Sequence, residues 1–432
     1  MRPAGEVSGQ AVWGGLARVL PRVLLRPAPA RPGVLMVTRA DLFPSDHGAA
    51  VKVDRTAWGL SLVAGPVYLV TDERAHYHRY LEGERETVRF PGWLANVGPW
   101  RRVLRARLRR EGVPSQDAFL YFALRDWNLA LRAAYVAARH GLRVFQAEFP
   151  AYARVCLRVK SLIGGRTVLV EHNVEFERLR EQVQDLSPEG YGFLRDIELT
   201  LCRQVDAVVT VSQRDRDMLV REGVDPERVL VIPHGVDLYS FDHAAAPAHL
   251  LQRQGIPPGR PVLVYHGTYL YPPNLEAMQF VASEILPRLN EKGWYPAVMA
   301  LGPNPPEGRL HPDVFFSGSV DTVAPYLKAA DVAIVPLRQG GGTRMKILDY
   351  FAAAIPVVST SKGVEGLELR DGDQVWIRDG AEAFAEAIAD LLRNPERARA
   401  LGGAGRRYAE QRDWLAIARR YADLFSRLGE TQ

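Results

Sequence analysis

Cysteine is nearly absent: Cys156 and Cys202 are the two in 432 residues. That excludes a disulfide framework and argues against a cysteine-based zinc site, since both fall in stretches that read as helices of an intracellular-looking α/β pattern. No run approaches ~18 consecutive apolar residues, so no transmembrane helix is expected. Charge of one sign is in small excess, 55 Lys and Arg against 50 Asp and Glu. A net +5 suits anionic ligands or an anionic membrane surface and falls far short of a nucleic-acid footprint. No Asp-x-Asp pair stands where it would hold a metal. Disorder is excluded by a 47% hydrophobic content with 24% charged residues.

What is present is alternation. Short apolar runs at 33–38, 66–70, 142–145, 167–170, 207–211 and 229–232 read as strands buried on both faces. Helical stretches such as Trp127–Arg139 and Gly190–Gln204 lie between many of them. A polar, Ala/Pro-rich interval follows, and the alternation restarts at 262–265, 297–300, 314–316, 332–335 and 356–358. The expected fold class is α/β, two Rossmann-like doubly wound domains facing a cleft. The expected boundaries are a flexible extension at 1–32, a first domain at 33–235, a linker at 236–259, a second domain at 260–410 and a C-terminal helix at 411–432. Arg18, Pro21 and Arg22 break the apolar character of the extension, which is a poor signal peptide.

The densest stretch is Pro336–Tyr350. A strand ends, Gly340, Gly341 and Gly342 follow, and Thr343 stands where a helix N-cap is expected. Backbone N–H groups and a helix start make a receptacle for a phosphate-like anion. Arg344 and Lys346 add positive charge. Asp349, three residues beyond Lys346 on the same helical face, is the candidate for a ribose diol. A glycine-rich turn before a solvated helix end is the plainer alternative.

The segment Gly340–Leu367, with Pro356–Thr360 and Gly363–Leu367, resembles the donor-binding signature of the GT-B glycosyltransferases, most closely family 4. Val231–Asp237 and Asp206–Ser212 continue the resemblance, which spans about Val34–Phe425. It implies a nucleotide-sugar donor, with Gly267 and Glu365 joining the donor site, and a C-terminal helix, 411–432, that packs back on the first domain. Two departures stand out. Of the two family glutamates eight positions apart, Asp349 takes the second place and Gly341 the first. The arginine and lysine that many members carry after the second domain's first strand are missing from His266–Asn274, so Arg344 and Lys346 are read as supplying the diphosphate charge instead.

In the first half, Pro44–Ala50 resembles the family's glycine loop, making His47 and Gly48 candidates for acceptor or diphosphate contact. His172, in Glu171–Glu175, matches the position where a family histidine meets the donor sugar or acceptor; a structural histidine is the rival. Glu148 ends the preceding strand and is a candidate for the same region. The basic segment Trp93–Arg110 is a candidate surface for an anionic membrane or a solvated helix.

The expected reaction is transfer of a sugar from a nucleotide-diphosphate-sugar to a carbohydrate or lipid-linked acceptor, with His172, Arg344 and Lys346 as catalytic candidates. Fixed donors at the departing diphosphate carry the main stabilisation. Retention of configuration is implied by the resemblance, a metal-free mechanism is favoured, and no cofactor or nucleic-acid partner is expected. A cytoplasmic location, peripheral at the membrane, accompanies this. A catalytically degenerate GT-B subunit and a GT-B sugar-nucleotide epimerase stay open as alternatives.

Overall fold

In the computed structural model, residues 33–40, 43, 48–94, 123–182, 186–246 and 249–430 are described. The chain divides into two compact units, Met1–Ile232 with Ile417–Gln432, and Pro233–Ala416.

The first unit is built on β1 (Val34–Thr38), β2 (Val67–Thr71), β3 (His76–Leu81), β4 (Glu84–Arg89), β5 (Val144–Glu148), β6 (Arg166–Glu171), β7 (Ala207–Thr210) and β8 (Val229–Val231). Their order across the sheet is β4-β3-β2-β1-β5-β6-β7-β8. From β2 to β8 all neighbours are parallel. Helices such as Gly48–Val63, Trp127–His140 and Pro150–Ile163 cover the sheet, so every residue of β1 and β2 is buried. Chain direction across the sheet reverses at β1, whose neighbours are β2 and β5; open parallel sheets bind ligands beyond the strand ends at such a point. An antiparallel hairpin, β3–β4, extends the edge. It turns through Glu82 and Gly83, at φ 50° and 85°, the pair of positive φ values that a two-residue hairpin requires.

The second unit holds β9 (Val262–His266), β10 (Ala297–Leu301), β11 (Val314–Phe316), β12 (Val332–Val335), β13 (Val357–Ser359) and β14 (Trp376–Ile377). Their order is β11-β10-β9-β12-β13-β14, with every pair parallel. The switch point lies between β9 and β12.

The interval 236–259, expected as a linker, belongs to the second unit. The boundary between units falls after Ile232. The interval carries short helices at Leu238–His243 and Leu250–Arg253, and Phe241 and Ile256 are buried in the second unit's core. Val236 bonds the chain's later return: its N–H reaches the Arg412 carbonyl at 2.8 Å, and a Cβ on Gly235 would sit 2.5 Å from the Trp414 ring. Apolar residues spaced among alanines and prolines gave this interval a linker's composition while supplying core anchors. In the helix Trp414–Glu430, the part from Ile417 onward belongs to the first unit. There Tyr421 is fully buried, and the Leu428 carbonyl accepts from Arg166 Nε at 3.0 Å.

Candidate functional site

In the second unit, the ends of β9, β12 and β13 converge on the glycine loop. Thr360, just past β13, donates through Oγ1 to the Leu337 carbonyl and accepts from the Gly363 N–H at 3.0 Å. The Gly340–Gly342 loop is shaped by Arg344. Its Nη2 donates to the Gly340 carbonyl at 2.7 Å, and its Nη1 donates to the Gly342 carbonyl at 2.8 Å and to that of Gly341. In a trans peptide, C=O and N–H point in opposite directions. Drawing three carbonyls toward the guanidinium therefore turns the N–H groups of Gly341, Gly342 and Thr343 away from it. None of these three amides has a hydrogen-bond acceptor among the described residues. The positive φ of Gly340 and Gly342, 101° and 84°, permits the curl. Successive N–H groups turned to one side form an anion-binding nest.

One sequence expectation is corrected here. Thr343 is not the helix cap: the helix is Met345–Ala352 and Arg344 occupies the N-cap position, at φ −85° and ψ 81°. Arg344 is 7% exposed, and its guanidinium binds the loop's own carbonyls.

Lys346 Nζ donates to Tyr265 Oη at 2.7 Å and to Asn274 Oδ1 at 3.1 Å, and lies 3.9 Å from the Tyr265 ring centroid. Burial of the amine, aided by the Arg344 charge and opposed by Asp349, pushes its pKa well below the ordinary lysine value. Gly267 lies directly over it: a Cβ there would stand 2.6 Å from Asn274 Nδ2 and 3.2 Å from Lys346 Nζ. Asp349 is half-buried, with Oδ2 3.3 Å from His266 Nε2. Glu365 pairs with Lys362 at 2.6 Å, and the next residue, Gly366, is packed on Thr343. Gly340 packs against Tyr271 and Pro273. The structure thus gathers Gly267, Gly340, Gly341, Gly342, Thr343, Arg344, Lys346, Asp349 and Glu365 at one end of the sheet. Tyr265 and Asn274 were missed by the sequence reading; a proline pair opening a helix just after a strand was the available signal.

In the first unit, Glu148 at the end of β5 and His172 just after β6 are in direct contact, His172 Nε2 lying 2.6 Å from Glu148 Oε2. Gln146 Nε2 donates to Glu148 Oε1 at 2.5 Å, and Lys52 Nζ stands 3.6 Å from Oε2. Lys52 also reaches Tyr421 Oη at 3.3 Å. Burial alone would raise the Glu148 pKa; the Lys52 charge and the hydrogen bonds from His172 and Gln146 outweigh it and hold the carboxyl at about 2. Burial and the Lys52 charge lower the His172 pKa against the pull of Glu148, favouring the neutral ring. The ring stacks on Phe149 with centroids 4.2 Å apart and planes 14° from parallel. Phe149 sits at φ 76° and ψ 150°, a region that costs a non-glycine residue roughly 1–3 kcal/mol and that concentrates at functional sites. Lys52 and Tyr421 were not singled out from the sequence; a lysine within the buried part of a mostly apolar helix was the signal. Gly48 opens the helix Gly48–Val63. His47, most of the basic segment Trp93–Arg110 and the extension 1–32 lie outside the described residues. No helix among the described residues is long and apolar enough to cross a membrane.

Two mainly parallel α/β sheets, each with its polar groups collected at strand ends beside a topological switch, define a GT-B glycosyltransferase fold. Comparison with known proteins agrees. The model "Glycosyltransferase Family 4" matches residues 48–239, and "Glycosyl transferases group 1" matches residues 260–394. The chain belongs to these group 1, family 4-like glycosyltransferases. Among curated relatives, it is 27% identical over 249 residues to the D-inositol 3-phosphate glycosyltransferase of Kineococcus radiotolerans, a match covering 51% of this chain and 56% of the relative. The chain therefore spans only about half the length of that relative. Among solved structures, the sucrose-phosphate synthase of Thermosynechococcus elongatus superposes with a TM-score of 0.66 at 17% identity, covering 93% of this chain and all of that one. Anabaena HepE in complex with UDP-glucose gives a TM-score of 0.61 at 14% identity, covering 91% of this chain and 99% of that one. At such identities these two likenesses speak to fold.

Proposed function

We propose that this glycosyltransferase moves a sugar from a nucleotide-diphosphate-sugar to a carbohydrate or lipid-linked acceptor. The observation that carries the reading is the nest: three amides of Gly341–Thr343 turned outward by the Arg344 clasp at the start of the helix Met345–Ala352. In transfer, the bond between sugar and diphosphate breaks, and negative charge grows on the departing diphosphate. Preorganised N–H donors stabilise that charge without reorganising. Lys346, held close under Gly267, adds a proton donor or a positive charge at the same end of the sheet. Asp349 is the group for the ribose diol, on releasing His266 or sharing it. The named complex of HepE with UDP-glucose supports a nucleotide-sugar donor by analogy of fold. Retention without a metal, a cytoplasmic location and a role in polysaccharide or glycolipid assembly complete the proposal.

The test is a thermal-shift screen of UDP-, GDP- and ADP-sugars, followed by product analysis with and without saccharide acceptors. A nucleotide-sugar present at about 100 times its dissociation constant stabilises the protein by ~2.7 kcal/mol. Binding with transfer supports the proposal. Binding with neither transfer nor hydrolysis favours the degenerate subunit, and interconversion of the donor without acceptor favours the epimerase.

A further inference from the structure

The ionic cluster of the first unit goes beyond what the donor site requires. Glu148 is completely buried, yet three groups from three different elements address it: Gln146 from its own strand, Lys52 from the helix after β1, and His172 from the loop after β6. Tyr421, from the C-terminal helix, closes the cluster behind Lys52. A carboxylate met by an amide N–H on one oxygen and an ammonium on the other can only accept hydrogen bonds. The 2.6 Å contact with His172 therefore needs a proton on Nε2. Phe149 fixes the plane of the ring by stacking. The other ring nitrogen, Nδ1, has no hydrogen-bond partner among the described residues.

We propose that Glu148 is a positioning residue that locks His172 into the tautomer with Nε2 protonated, leaving Nδ1 as a fixed hydrogen-bond acceptor, so that the ligand group meeting His172 is a hydroxyl donor of a sugar. This rests on the reading of the protein as a sugar transferase. The lock itself is a property of four side chains. Lys52 keeps Glu148 acceptor-only, and Glu148 holds the ring. A hydroxyl is selected over an anion, because a neutral Nδ1 lone pair attracts an O–H and repels a phosphate or carboxylate oxygen. The same neutral ring can hold a sugar hydroxyl in place without competing for the diphosphate.

The experiment uses the full chain labelled with ¹⁵N-histidine, with the His172 resonances assigned by their loss in His172→Gln. Two-bond ¹H–¹⁵N correlation at neutral pH reads the tautomer directly. The expected result is a protonated Nε2 and a bare Nδ1 in the wild type. A protonated Nδ1 or a doubly protonated ring in the wild type overturns the proposal with no variant needed. In Glu148→Gln the carboxamide offers both a donor and an acceptor, so the lock is lost and the shifts move toward a tautomer mixture. On the donor identified by the screen, kcat should fall by about 10–100-fold, the size expected from one misdirected buried hydrogen bond. KM for the nucleotide-sugar should stay within about threefold, since the change leaves the nest intact. Unchanged shifts in Glu148→Gln, or changed shifts with unchanged kcat, overturn the role. A carboxylate that merely held the fold would lower stability and leave the tautomer as it was. If no nucleotide-sugar supports transfer, the proposed activity fails while the tautomer measurement still decides the lock.

Discussion

Arg344 shows how one side chain can determine a loop's shape and, through it, the direction of the loop's N–H groups. Its planar fork reaches three successive carbonyls, which the compact ammonium of a lysine cannot span. Arg344→Lys should therefore relax the glycine loop and weaken nucleotide binding by about tenfold or more, roughly the effect of losing one or two charge-assisted hydrogen bonds. Titration calorimetry with the nucleotide selected by the screen measures it, and equal affinity in the lysine variant would contradict the clasp. A second residue-scale expectation concerns pH. His78 is buried in β3, bonded to Thr87 Oγ1 at 3.2 Å, and burial, then Arg85 and His76, hold its pKa at about 4 against Asp54. The unfolded chain takes up this proton near 6.5, so between 6.5 and 4 it binds more protons than the folded chain. Stability is then full above 6.5 and declines as pH falls toward 4, by roughly 1–3 kcal/mol. Urea melts at pH 7.5 and 5.0 should show the decline, and His78→Gln should flatten it. The Glu148 contribution lies lower, present above about 4.5 and lost as pH falls through about 2.

At the scale of elements, the close approach of β9's end to its neighbours is the most exacting feature. Gly267→Ala places a methyl group into Asn274 and Lys346, and overpacking of this kind typically costs about 1–3 kcal/mol. The expected outcome is a lowered melting temperature together with loss of nucleotide binding; a variant that binds normally would show that the Lys346 position is unimportant. The parallel strands of both sheets other than β14 were legible because they are short, continuous apolar runs, as in Val34–Thr38 and Ala297–Leu301; β14, two half-buried residues at the sheet edge, carries no such run. The hairpin β3–β4 was not. Its turn is Glu82–Gly83 rather than Asn–Gly or Asp–Gly, and β4 is almost wholly exposed, so neither turn chemistry nor alternation marks it. At the candidate site, the glycines and cations were visible as types and spacing. Their bonding was not, because spacing does not say that Arg344 turns back on the preceding carbonyls. Thr343 illustrates the same limit: its type suits a cap, while the backbone begins the helix one residue later.

For the whole molecule, the decisive arrangement is that the first unit is completed by the end of the chain. Ile417, Ala418, Tyr421, Leu424 and Phe425 are buried there. Removing 417–432 should destabilise the first unit by several kcal/mol, since fully burying each large apolar side chain contributes about 1.5–3 kcal/mol. The second unit, whose segment Pro233–Ala416 is uninterrupted, should keep most of its protection. Amide hydrogen exchange read by mass spectrometry separates the two, and uniform exchange rates before and after truncation would refute the expectation.

The split composition of the first unit also sets a timetable for synthesis. Lys52 and Arg166 emerge early, while Tyr421 and Leu428, which they bond, are translated only after all of Pro233–Ala416. At ~5–20 residues per second that interval lasts roughly 10–40 s. Throughout it the nascent first unit carries an uncovered apolar face and a lysine lacking its phenolic partner, a natural target for chaperones. The second unit, contiguous in sequence, can finish folding first although its residues are made later.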